Sequence, residues 1–156
     1  MNRSCWYHAL IISCCVSLSA LGAEQKGGGW LSSWFAGESE PQRIGKQLVE
    51  AINADLHNIN VIAHGTLVPG STTPVRPRPE LYKKDVSLFV SIYKGLDTKY
   101  RVLPTWKVNA YSDAYTRYIK EYSSAGRVTE KLSKLQEPFE RAAQQLLESV
   151  SSLFNL

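Results

Sequence analysis

Apolar residues return at helical spacing along two long stretches of the chain. Ile44, Leu48, Ile52, Leu56 and Ile59 recur near every fourth position, which gathers them on one face of a helix. Just upstream, Ser39 stands three residues before Gln42 with Pro41 between them. That is the spacing of a capping box, with proline in the first turn where its missing N–H costs nothing, so a helix is predicted from Ser39. In the C-terminal third, Tyr111, Tyr115, Tyr118 and Tyr122 follow an i, i+4, i+7, i+11 pattern. A helix over 108–123 is expected there, stopped by Gly126. Val128, Leu132, Leu135, Phe139, Ala142, Leu146, Val150 and Leu153 then keep the same rhythm to the C-terminus. Pro138 cannot donate a hydrogen bond back to Lys134, yet the phase survives across it, which argues for one kinked helix.

The middle of the chain patterns less clearly. Residues 65–79 contain Pro69, Pro74, Pro77 and Pro79, which forbid a helix and predict an extended connector. Residues 80–107 support two readings. Leu81, Phe89, Ile92 and Leu96 suit a helix closed near Gly95, whereas Val86, Leu88, Val90 and Ile92 alternate with Ser87, Phe89, Ser91 and Tyr93 like a strand turning at Gly95. The Pro79-Glu80 start and the Lys83-Lys84 pair favour the helix, over 80–94. The fold class is therefore mainly α, a small bundle of three to five helices, with a short β-hairpin around 84–108 as the α+β alternative.

The N-terminus has another pattern. Arg3 is followed by an apolar run from Cys5 to Ala23 that ends in the small-residue stretch Ala20-Leu21-Gly22-Ala23. A basic start, an apolar middle and a small-residue end predict an export signal cut near Ala23. An uncleaved anchor is one alternative, and lipidation of Cys14 after Ile11-Ile12-Ser13 is another. His8 and the serines dilute the run against the first, and Val16, Leu18 and Leu21 continue it past Cys14 against the second. The chain thus divides into a signal (1–23), a glycine-rich tether (24–38) and a helical domain (39–156), destined for the periplasm or secretion. All three cysteines fall inside the signal. Its removal takes thiolate catalysis, cysteine-ligated zinc and iron–sulfur chemistry with it, and leaves packing to hold the domain.

Charge adds a second asymmetry. Residues 24–73 carry a net −2, and residues 108–156 balance. Residues 74–107 carry Arg76, Arg78, Lys83, Lys84, Lys94, Lys99, Arg101 and Lys107 against Glu80, Asp85 and Asp97, a net of +5. Such a region is a contact surface for something acidic when it is not merely a solvated face. Nucleic acid is a poor partner for an exported chain of modest charge. Within the tether, Gly27, Gly28 and Gly29 precede Trp30, Leu31, Trp34 and Phe35, which one helical turn would gather into an aromatic docking element.

Motifs that carry chemistry are missing from the sequence: no nucleophile elbow, no His-Glu-x-x-His, no phosphate loop and no EF-hand spacing. His57 and His64 lie seven residues apart, roughly 10 Å along one helix, with Asp55 as the only nearby acid, too far to share an ion. No catalytic residue, metal or cofactor is assigned. The expected function is non-enzymatic: an exported binding or adaptor protein that docks on an envelope protein. Trp30, Leu31, Trp34 and Phe35 would dock, and Arg76, Arg78, Lys83 and Lys84 would orient. For Tyr111, Tyr115, Tyr118 and Tyr122, a groove for a glycan, peptide or lipid is the functional alternative to a plain core face. The rival functions are binding to an anionic membrane through the same groups, and an exported hydrolase built around His57 or His64.

Overall fold

Ser39 starts the first helix as its spacing predicts. Its hydroxyl accepts from the Gln42 amide at 3.4 Å, and the Gln42 carboxamide accepts from the Ser39 amide at 3.2 Å. The computed structural model describes residues 39–156. The expected signal and tether, with Trp30, Leu31, Trp34 and Phe35, lie outside the described residues.

The element order is α1 (Glu40–His64), a 3-10 turn (Pro79–Tyr82), α2 (Leu88–Gly95), a second 3-10 turn (Thr98–Tyr100), α3 (Thr105–Ala125) and α4 (Glu130–Phe154). The described residues are mainly helical, with four α-helices and no strand. Helix α4 packs along both α3 and α1, α2 packs on α1, and the first 3-10 turn packs on α3. No helix among the described residues is long and apolar enough to cross a membrane.

The core is built from the predicted stripes. Ile44, Leu48, Ile52 and Ile59 of α1 are buried, with Leu56 half-buried beside them. On α4, Leu132, Phe139, Leu146 and Val150 are buried as expected, but Ala143 and Phe154 go inward where the rhythm pointed to Ala142 and Leu153. A helix turns 3.6 residues, not 3.5, so a stripe drifts by a position over this length. Helix α4 runs unbroken through Pro138, started by Thr129, whose hydroxyl accepts from the Leu132 amide at 3.1 Å. Gly45 lets the two chain ends of the domain meet, since a Cβ there would lie 2.5 Å from Cβ of Phe154. Gly126 ends α3 in the left-handed conformation, φ 69°, where a side chain would be strained.

The middle of the chain corrects two expectations. No hairpin forms over 84–108, and the helix predicted over 80–94 begins only at Leu88. Pro79-Glu80 opens a single 3-10 turn that stops at Tyr82. A turn at Lys83-Lys84 follows, and the chain has no regular structure over 85–87, where Asp85 and Ser87 engage Asn58 and Asp55 of α1. The 65–79 connector is a loop as expected, closed at its base by a two-hydrogen-bond bridge between Thr66 and Val75.

Candidate functional site

The surface segment Arg78–Leu88 is the part of the domain where polar chemistry concentrates, and it is anchored from below by Asp55. Asp55 sits on the apolar face of α1, in phase with Leu48, Ile52 and Ile59, and is buried. A bare carboxylate there would be costly, so it collects donors. Ser87 Oγ donates to it at 2.6 Å, the Leu88 amide at 2.9 Å, the Phe89 amide at 3.3 Å and the Tyr111 hydroxyl at 2.9 Å. Two of these are the first free amides of α2, and Ser87 Oγ accepts the next, from Val90, at 3.1 Å. A carboxylate of one helix therefore caps the N-terminus of another, with its charge at the positive end of the helix dipole. Burial nevertheless outweighs the four donors and holds the Asp55 carboxyl above the ordinary aspartate range.

A second polar chain runs beside it. Asn58, one turn along α1, donates to the Tyr115 hydroxyl at 3.0 Å and to Asp85 at 3.3 Å. It accepts from the Tyr82 hydroxyl at 2.9 Å, and Tyr115 donates to Asp85 at 2.7 Å. Tyr122 closes the set by donating to the Pro77 carbonyl. Burial pushes the Tyr82 and Tyr118 hydroxyls up to about 12, and Tyr111 and Tyr115 higher. All stay protonated and neutral near neutral pH.

The four tyrosines of the predicted stripe are thus core, each no more than 2% exposed. Where a groove was the alternative to a core face, Phe89 and Phe139 pack, with rings 5.2 Å from Tyr111 and Phe139 also 5.7 Å from Tyr115. The hydroxyls of Tyr111, Tyr115 and Tyr122 end on acceptors within the domain: the carboxylates of Asp55 and Asp85 and the Pro77 carbonyl.

The predicted basic region divides. Arg76 is exposed, and its guanidinium donates to the Ile62 carbonyl at 3.2 Å and the Ala63 carbonyl at 3.1 Å, capping the C-terminus of α1. Arg101 caps α2 through the Leu96 carbonyl, Lys107 bonds Ser149 at 2.6 Å, and Lys99 lies near Glu40 and over the Tyr100 ring. Arg78, Lys83, Lys84 and Lys94 are exposed and make no ion pair among the described residues. Leu81 and Val86, beside them, are 68% and 64% exposed.

His57 and His64 are both exposed on α1, while Asp55 is buried and accepts from Ser87, Leu88, Phe89 and Tyr111. Among the described residues no group of His, Cys, Asp and Glu could hold a metal ion. Asp55, Asn58, Asp85 and Ser87 were missed as a set. A signal existed, since Asp55 is the one charged residue on the buried stripe of α1, and such a position demands internal partners. Comparison with protein families, with curated proteins and with solved structures finds no match to this chain.

Proposed function

We propose that the chain is a non-enzymatic, exported binding or adaptor protein that docks on a partner protein of the cell envelope through the segment Arg78–Leu88. The observation that carries this reading is the contrast between the two sides of that segment. Its inner side is tied to α1 by Asp55 and Asn58 and to α3 by Tyr115, while its outer side leaves Leu81, Lys83, Lys84 and Val86 in water. Rigid backbone under exposed apolar and cationic side chains lowers the ordering cost of association, and single cations around an apolar centre steer an acidic partner. The expected aromatic element at Trp30, Leu31, Trp34 and Phe35 belongs to the same reading as a second contact.

A photo-crosslinking residue at Leu81 or Lys84, introduced one at a time in cells expressing the chain, tests this. Both positions are expected to give an adduct of one discrete mass, and the same residue at Lys134 none. Equal labelling from all three positions, or no adduct from Leu81 and Lys84, overturns the reading. Co-flotation of the purified chain with anionic vesicles, lost in high salt, would transfer the segment to a membrane instead.

A further inference from the structure

We infer that the partner of the Arg78–Leu88 segment is a second copy of this chain, seated in the shallow groove between α1 and α4. The inference rests on the proposed docking role of that segment and names its occupant. The groove is lined by Leu56 of α1 and by Glu140, Gln144, Leu147, Glu148 and Ser151 of α4. Leu56 and Leu147 are half-buried and form an apolar floor. Glu140 and Glu148 stand over it with only the neutral neighbours Gln136 and Gln144 as hydrogen-bond partners, although Glu130 and Glu137 on the same helix each pair with a cation one turn on. The groove is therefore apolar below and unneutralised acidic above.

The Arg78–Leu88 segment is its complement. Leu81 and Val86 supply apolar side chains, and Arg78, Lys83 and Lys84 supply positive charge against Glu80, while Asp85 is occupied by Tyr115 and Asn58. The two surfaces cannot meet within one molecule. The segment is tied to Asn58, and Asn58 follows Leu56 by two residues, about 200° around the helix. They face opposite flanks of α1. Pairing must therefore run from the segment of one copy to the groove of the next, a head-to-tail contact that extends into chains unless its rotation closes a ring. An opposite-charge contact this small is transient and salt-sensitive.

Sedimentation velocity of the full-length chain reads the association directly. At low salt the wild type is expected to sediment faster as concentration rises, and high salt is expected to return it to monomer. K83E/K84E and E140K/E148K are each expected to weaken association by at least about tenfold, because each sets like charges face to face. Mixing the two variants restores opposite-charge pairs and is expected to restore association, as is placing all four changes in one chain. Far-UV circular dichroism of every variant separates a lost contact from a lost fold. A wild type that stays monomeric at low salt, or reversed variants that associate as well as wild type, overturns self-docking. In that event, a heterologous adduct from Leu81 and Lys84 leaves the docking role standing, and the absence of any adduct removes both.

Discussion

The α1–α3–α4 core and the connector from Gly65 to Pro104 are stabilised in different ways, and the contrast explains where the functional surface lies. The core is held by area. Four tyrosines, two phenylalanines and the aliphatic stripes of α1 and α4 are packed out of water, and no single hydrogen bond decides whether those helices meet. The connector buries little apolar surface of its own apart from one face of α2 and Leu103. It is held by identified polar contacts: Asp55 to α2, Asn58 to Tyr82 and Asp85, Arg76 to the end of α1, and Tyr93 to the amide of Leu103. Area tolerates change in small increments, whereas a buried polar contact fails all at once when a partner is removed.

The contrast can be broken first at its strongest point. Phe139→Ala removes a fully buried ring lying against Tyr111 and Tyr115. It is expected to cost about 3–5 kcal/mol, read as a lowered denaturant midpoint. If area is what holds the core, the loss is global and cooperative, with α2 and α4 melting together.

Asp55→Ala is next. It strands the donors of Ser87, Leu88, Phe89 and Tyr111 without replacing them, and a loss of at least about 3 kcal/mol is expected. Unlike Phe139→Ala, it should also release the amides of Leu88 and Phe89 to rapid hydrogen exchange under conditions where α3 and α4 remain protected.

Asp55→Asn sharpens the same point through pH. Because burial raises the folded pKa above the unfolded one, folding favours the protonated acid. That contribution is fully present below the ordinary aspartate range and is lost as pH rises through the raised folded pKa. The asparagine variant does not titrate. Its stability deficit relative to wild type should therefore shrink as pH rises across that window. A deficit that widens instead would mean that the four donors outweigh burial.

The smallest effect is expected from Arg76→Ala. Its two contacts to the Ile62 and Ala63 carbonyls are partly solvent-exposed, worth about 1 kcal/mol. The change should appear as faster exchange of the Thr66 and Val75 amides, which close the loop beside it, with the core unaffected.

Much of this fold was legible in the sequence, for a specific reason. The start of α1 at Ser39, the stop of α3 at Gly126 and the buried faces of both helices depend on side chains within four residues of one another, and spacing records such relations directly. The connector was not legible in that way. The alternation of Val86, Leu88, Val90 and Ile92 kept a strand open beside the favoured helix over 80–94, and the helix forms, but only from Leu88. What decided it was Asp55, 33 residues from Leu88.

The sequence by itself determined the helices, their caps and the stripes that must be buried, because these follow from local periodicity and from chemistry at the helix ends. It also determined that His57 and His64 cannot share an ion on a straight helix. The tertiary structure alone decided that the tyrosine stripe is packed into the core, that Arg76 bonds the last carbonyls of α1, and that Arg78, Lys83 and Lys84 remain outside. Those outcomes depend on which distant acceptors lie near each side chain. Asp55, Asp85 and the last carbonyls of α1 draw in the hydroxyls and one guanidinium within reach, and the cations with no such acceptor are left in water.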